Sequence, residues 1–505
     1  MLSLTEPAFA PPCPARFNLA AYVLARAHDL PDKVALEILT VAGRDVWTYG
    51  QLDQAVRGVA WGLLGLGLKP GARILLRLDN SLEFPLAFLG AIAAGMLPVA
   101  TPALLTVDEL TDLAAKLRPA LVIADAGLAQ PDAPGIQAIS TADLAAFAAG
   151  PKADFILGRA ERPAYLVYTS GTSGAPRAVV HAHKAIWARR MMWDGWYDLR
   201  QDDRLLHAGA LNWTFTLGTG LFDPWAAGAT ALIAKTGTTP DALPKIIARS
   251  EATLFAAAPA FYRKLLKNRS TLDAPKLRHG LSAGEQLSDR IRHDWIAATG
   301  KPIYEAYGLS ECSTFISSCP ARPAPDGAIG YPQSGRKIAI LGPDGAPVAR
   351  NTPGVIAVSR QDPGLFLEYF GAAADTAGKF RGDWFLTGDI GIMASDGAIQ
   401  YSGRDDDMMN AGGLRVSPQE VESVLANCPD IGSVAITEVS PQEDVRIIAA
   451  FYTGPASADA VRAYAQARLA PYKCPRHWEN ISHLPTSANG KLNRRALRKE
   501  WETRL

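Results

Sequence analysis

The sequence predicts an α/β protein with a large layered N-terminal domain of largely parallel strands and a small α+β C-terminal domain. Three observations predict it. Short apolar strands alternate with helical segments through the first two-thirds of the chain, the pattern of a layered α/β domain. At 505 residues the chain is long enough for two separate cores. Near the C-terminus two strand-like runs, Val434–Thr437 and Val445–Tyr452, precede one helix over Ala458–Leu469.

In chain order, Phe17–Ala27 has helical spacing, and Val34–Glu37 and Val46–Tyr49 read as strands around Ala42-Gly43-Arg44. Within Tyr49–Leu66, residues Leu52, Val56, Val59, Leu63 and Leu64 share one helical side. Arg73–Leu78, Leu97–Ala100 and Leu121–Ala124 are strands, and Leu82–Gly95 and Val107–Lys116 are helices. Phe84–Ala100 is free of charge, but Pro85, Gly90, Gly95 and Pro98 interrupt it, and it is shorter than the roughly 20 residues that span a bilayer. It reads as a buried helix and a buried strand. Arg204–Ala208, Thr230–Ala234 and Ala252–Ala257 continue the strands, with Pro240–Ser250 and Pro259–Lys267 as helices.

Composition is that of an ordinary globular chain, 48% hydrophobic and 20% charged. A net charge of +1 gives no basic surface for a nucleic-acid polymer. Five scattered cysteines, with Cys312 and Cys319 the nearest pair, indicate neither a zinc site nor a disulfide framework. The N-terminus lacks a basic head followed by an apolar core, so a cytoplasmic, non-membrane protein is expected.

The chemistry is carried by seven strings. Tyr165–His181 reads YLVYTSGTSGAPRAVVH: a buried strand, then a loop rich in hydroxyls and glycine, then apolar residues again. Such a loop presents backbone N–H groups and hydroxyls to one anion; Gly171 and Gly174 allow the close approach, and Arg177 adds a forked cation. No Gly-Lys-[Ser/Thr] follows, so this is not the common P-loop, and taken alone a surface turn explains it equally. Asp202–Leu217, DDRLLHAGALNWTFTL, carries Trp213 and Phe215, which on composition alone are core aromatics. Arg278–Glu285, RHGLSAGE, places a turn at a strand's carboxyl end, where open α/β sheets bind ligands. Tyr304–Glu311, YEAYGLSE, sets a ring, a hydroxyl and a carboxylate in close succession. Trp384–Asp389, WFLTGD, offers a carboxylate with two acceptor oxygens, although a hairpin turn accounts for it as well. Ser402–Glu422, SGRDDDMMNAGGLRVSPQEVE, ends in Ser417-Pro418 and Glu420, a helix start with a capping partner. Near the end, Leu484–Arg494, LPTSANGKLNR, holds Lys491 in a flexible loop.

In this order the strings resemble the signatures of the acyl-adenylating (AMP-binding) superfamily of acyl-CoA synthetases, luciferases and peptide-synthetase adenylation domains. In length and around Ala210–Gly218 the chain is most similar to benzoate-type and medium-chain acyl-CoA ligases. Arg177 and Ala178 depart from that family's usual lysine and glycine, and Ser310 from its usual threonine. The resemblance implies an adenylation domain over 1–403, a hinge over 404–407 and a mobile domain over 408–505. It implies that Thr169, Ser170, Gly171, Thr172, Ser173 and Gly174 hold the β- and γ-phosphates of ATP, with the Arg177 charge beside them. Backbone atoms of Gly284, Glu285 and Gln286 then contact adenine, and Tyr307 stacks on it. Ser310 donates to the α-phosphate, Glu311 holds Mg²⁺, Asp389 accepts from the ribose hydroxyls and Arg404 reaches the ribose. Trp213 gates an acyl pocket near Ala210, Leu211, Thr214 and Gly218. Asp406 is the hinge, Gly412 and Gly413 line a channel for coenzyme A, and Lys491 bridges carboxylate and phosphate.

The expected activity is an AMP-forming acid–thiol ligase: ATP and an aryl, short, medium or branched acid give acyl-AMP and pyrophosphate, and the acyl group passes to CoA. Trp213 beside small residues suggests a compact acid. A stand-alone adenylation enzyme that loads a carrier protein's phosphopantetheine shares the first half-reaction, and a non-catalytic relative is the third reading. The sequence leaves open whether the chain works as a homodimer.

Overall fold

The computed structural model describes residues 1–6, 12–169, 177–239, 241–267, 269–404, 407, 409–411, 414–442, 445–469, 471–486 and 492–504. Two sheets form the bulk of the first four hundred residues. The larger has nine strands, in the order Tyr331–Pro332, Ser313–Ser317, Ile303–Leu309, His279–Ala283, Leu254–Ala257, Arg204–His207, Thr230–Ala234, Val34–Leu39 and Arg44–Thr48. Its six central strands pair in parallel, and antiparallel strands close both edges. The second sheet, of seven strands, runs Glu368–Tyr369, Arg177–Ala182, Pro163–Thr169, Leu97–Ala100, Arg73–Arg77, Leu121–Ala124 and Gln137–Ser140.

Helices cover the sheets for local reasons that can be named. Thr48 and Gln51 close a reciprocal capping box at the start of Tyr49–Gly65, and Leu52, Val56, Val59 and Leu63 go inward. The charge-free run divides as expected, into helix Glu83–Ala93 and strand Leu97–Ala100, both buried. Among the described residues no helix is long and apolar enough to cross a membrane. The helix expected over Phe17–Ala27 is shorter: Leu19–Val23, then a 3-10 turn over Ala25–Ala27. Asn18 caps the helix with its side chain, which fixes the start two residues late.

A third, antiparallel sheet holds Ile338–Leu341, Pro353–Ser359, Trp384–Met393, Phe380–Arg381 and Ile399–Arg404. Here the alternative reading of a hairpin turn fails. Thr387-Gly388-Asp389 is no hairpin turn but part of the continuous strand Trp384–Met393. Val355 pairs with Ile390 and Ala357 with Leu386, so three residues on one strand face Ile356 alone on the other. This bulge, with Gly388 at φ 80°, re-aims Asp389. After residue 408, strands Ser433–Gln442, Val445–Thr453 and His477–Asn480 form a small sheet, with helices Pro418–Leu425, Ala458–Gln466 and Arg494–Glu502. Its largest apolar cluster draws only on residues from Met409 onward. Ser417 caps Pro418–Leu425 as expected, but the Glu420 carboxylate turns to Lys473 instead of closing the box.

Candidate active site

The parallel strands Arg204–His207, Leu254–Ala257, His279–Ala283 and Ile303–Leu309 end on one edge of the nine-stranded sheet. The segments beginning at Gly209, Gly284 and Ser310 leave from that edge, where ligands bind in open α/β sheets. Gly284 takes φ 95°, and a Cβ there would lie 2.7 Å from the Trp213 ring. Trp213 therefore packs on the bare turn and ties the 210–218 segment to it. Gln286 is exposed and Glu285 half-buried, so this turn remains open to a ligand.

Tyr307, Asp389 and Arg404 converge. The Tyr307 hydroxyl donates to Asp389 Oδ2, while Arg404 Nη1 and the Tyr401 hydroxyl reach Oδ1, each at 3.4 Å. Asp389 is only 2% exposed. Both carboxylate oxygens therefore already have partners, which hold Asp389 in one orientation. Burial, and then the Asp389 charge, raise the Tyr307 hydroxyl well above the ordinary tyrosine range, so it stays a donor.

Glu311 lies one residue beyond Ser310. Its Oε1 accepts from the Tyr369 hydroxyl at 2.6 Å, and its backbone carbonyl accepts from Phe366. Its second oxygen has no hydrogen bond among the described residues. Tyr369 is in turn covered by Arg177, whose guanidinium lies 5.0 Å from the ring centroid and pairs with Asp375 at 2.9 Å. Arg177, which stands where a phosphate-binding lysine was the comparison, is therefore anchored in a network that ends on Glu311.

A partly enclosed cavity adjoins Ser310. Thr214 and Gly218 line it, together with Tyr165, His181 and Arg189. Ala210 and Leu211 do not. Leu211 is buried in the core with Leu217 and Phe222, its N–H fixed by Asn80 at 2.8 Å, and Ala210 is exposed. Thr216–Phe222 forms a π-helix, which the sequence did not suggest. It brings Gly218 so close to Arg189 that any β-carbon would overlap the guanidinium.

Arg189 is the main residue the sequence reading missed. Its guanidinium bonds both oxygens of Asp223, Nε at 2.9 Å and Nη2 at 2.6 Å, and also reaches Tyr197, Thr219 and Ser313. Burial opposes the Arg189 charge, but Asp223 and Tyr197 outweigh it and hold the group above its usual value. Burial likewise pushes the Asp223 carboxyl up while Arg189 pulls it back. The forked contact is the geometry that keeps both charges. One signal was available: Asp223 is the only Asp, Glu, Lys or Arg between 205 and 234, and a lone carboxylate in an apolar run must find a cation.

The side chain of Thr169 and residues Ser170, Gly171, Thr172, Ser173 and Gly174 lie outside the described residues, as do Asp406, Gly412, Gly413 and Lys491. The flanking strands Pro163–Thr169 and Arg177–Ala182 pair antiparallel, Thr169 opposite Arg177, which joins the two ends of that loop.

Comparison with known proteins follows the same lines. Residues 23–370 match the family described as AMP-binding enzyme, and residues 420–491 its C-terminal domain. A 3-hydroxybenzoate–CoA ligase of Aromatoleum sp. (strain CIB) is 29% identical, covering 94% of each chain. A benzoate–CoA ligase of Thauera aromatica is 29% identical over 98% of this chain and 99% of its own. Among solved structures, a benzoate CoA ligase from Burkholderia xenovorans LB400 superposes with a TM-score of 0.86 at 28% identity, covering 95% of this chain and 100% of its own. An anthranilate CoA ligase in complex with anthranoyl-AMP gives 0.88 at 26% identity, covering 98% and 99%.

Proposed function

The chain belongs to the AMP-binding enzyme family, and from that premise we propose that it is an AMP-forming acid–CoA ligase acting on a compact aryl acid. One observation carries the reading: the cavity that holds Thr214 and Gly218 opens at Ser310, next to Glu311, on the sheet edge that also bears Gly284. A carboxylate in that cavity lies beside the place where an α-phosphate would sit. Aryl-acid ligases are among the relatives matched over nearly their full length.

In the first half-reaction a carboxylate oxygen attacks the α-phosphorus and the bond to pyrophosphate breaks. The protein positions the two anions and compensates their charge. Ser310 donates to the α-phosphate, the bulge directs Asp389 at the ribose, and the turn at Gly284 receives the base. Lys491 bridges the reacting oxygens. In the second half-reaction a thiol sulfur attacks the acyl carbon and AMP leaves, with residues 408–505 turning about Asp406 so that Gly412 and Gly413 line the path of CoA.

The residues fit Mg²⁺ bound sparingly. Among the described residues no group of three or more His, Cys, Asp and Glu is placed to hold a metal. Glu311 offers one hard carboxylate oxygen, which suits an ion that keeps its waters and takes its other ligands from phosphates. The ion supplies charge neutralisation on the β- and γ-phosphates; Tyr369 fixes the carboxylate that would hold it.

The test is a screen of aryl, branched and linear acids for carboxylate-dependent AMP release, with acyl-CoA identified by mass. Acyl-CoA formed with at least one aryl acid supports the proposal. AMP release only with a carrier protein as acceptor, or with no acid at all, contradicts it.

A further inference from the structure

One residue lining the cavity beside Ser310 carries an unpaired, buried acceptor. His181 is 3% exposed, and its Nε2 lies 2.7 Å from the Ser310 carbonyl oxygen. A carbonyl only accepts, so Nε2 carries the ring proton. Burial keeps the ring neutral, pushing its pKa down to about 4. Nδ1 is then a bare lone pair, buried and without a partner among the described residues. Folded proteins leave few such atoms unpaired.

The rest of the wall narrows what completes it. Arg189 has turned its donors to Asp223, Tyr197, Thr219 and Ser313, so its charge is compensated within the protein. A second carboxylate would meet a lone pair and a neutralised cation. The Tyr165 ring stacks on His181 at 4.9 Å and closes one face of the imidazole. The missing group is therefore neutral, compact and a donor.

Building on the acid–CoA ligase reading, we propose that this cavity selects acids carrying a hydroxyl or amino group, which donates to His181 Nδ1 while the carboxylate faces Ser310. His181 is then a specificity-determining residue. It also positions Ser310, whose carbonyl it holds.

The full-length protein is assayed by carboxylate-dependent pyrophosphate exchange with matched acids. Benzoate, its three ring-hydroxy isomers and the corresponding methyl ethers form the series. For one isomer kcat/KM exceeds that of both benzoate and the matching ether by on the order of 10-fold or more, because those two leave the buried acceptor unpaired. In His181→Leu every acid loses activity through Ser310, but the ratio of hydroxylated to parent acid falls towards one. An unchanged ratio in His181→Leu, or a wild-type protein that prefers benzoate or an ether over every hydroxy isomer, overturns the proposal. If His181→Leu does not fold, the wild-type series decides alone. Exchange with none of these acids and with no other would instead overturn the ligase reading, and this proposal with it.

Discussion

Replacing Tyr369 with phenylalanine removes a single oxygen from the candidate site. The ring stays packed against Phe366, with centroids 4.8 Å apart, and under Arg177. The loss is the hydrogen bond from the hydroxyl to Glu311 Oε1, 2.6 Å long and made to a carboxylate, together with the side-chain hydrogen bond the hydroxyl shares with Arg177. Hydrogen bonds to charged groups contribute roughly 1.5–3 kcal/mol. Glu311 is only half-buried, so water recovers part of this and the lower end applies. About 1.4 kcal/mol corresponds to tenfold in an equilibrium constant. With the hydroxyl gone, the carboxylate loses its orientation, and the Mg²⁺ concentration that gives half-maximal pyrophosphate exchange rises about tenfold. The KM for the carboxylic acid changes little. Binding of Mn²⁺ in the presence of ATP, followed by electron paramagnetic resonance, reads the same site without turnover. A Mg²⁺ dependence that is unchanged or tighter in Tyr369→Phe would refute the reasoning that Tyr369 orders Glu311 for the metal.

Three further outcomes are expected. Lys491→Ala abolishes formation of the acyl adenylate and spares thioester formation from preformed acyl-AMP; equal loss in both half-reactions would count against one lysine serving one step. Gly308→Ala places a methyl against the Ser313 carbonyl oxygen and Thr314 Cα, both backbone, at the bulge beside Ser310. It should lower stability by about 1–3 kcal/mol and kcat more than KM, and an unperturbed melting midpoint would contradict this. Acid destabilises the fold in a defined window. Burial holds His181 and His279 down to about 4 and His183 and His207 to about 3. Unfolded, all four titrate near 6.5, so below that pH the unfolded chain binds more protons and stability falls. Glu305, pushed up to about 7 by burial, keeps a proton that the unfolded chain releases above its ordinary 4.5, and so offsets one of the four. The net is about three protons near pH 5.5, or roughly 4 kcal/mol of unfolding free energy per pH unit at most. A urea midpoint constant between pH 6.5 and 5 would refute it.

Local signals were legible in the sequence and contacts across it were not. The strand over 165–168, the turn after Ala283 and the succession Tyr307, Ser310, Glu311 could be read because each is a run of adjacent residues. Thr387-Gly388-Asp389 could be matched but not shaped. Its bulge depends on register against Ile356, and one strand's sequence carries no register. Arg189 and Asp223 sit on different elements 34 residues apart. Asp223 is a lone charge in an apolar run, yet nothing along the chain names its partner. Leu211 looked like an acyl-pocket residue by its place in the string, and the Asn80 hydrogen bond, 131 residues away, turns it into the core instead. Tyr369 was invisible for the same reason, its hydroxyl finding Glu311 across 58 residues.

The most direct measurement is a crystal structure with a non-hydrolysable aryl-AMP mimic, in which a sulfamoyl group replaces the phosphate. The account predicts ribose oxygens within hydrogen-bonding distance of Asp389, the sulfamoyl group at Ser310, and the aryl ring in the cavity with Thr214, Gly218 and His181. A mimic bound elsewhere on the protein, or one whose ring leaves that cavity empty, would contradict it.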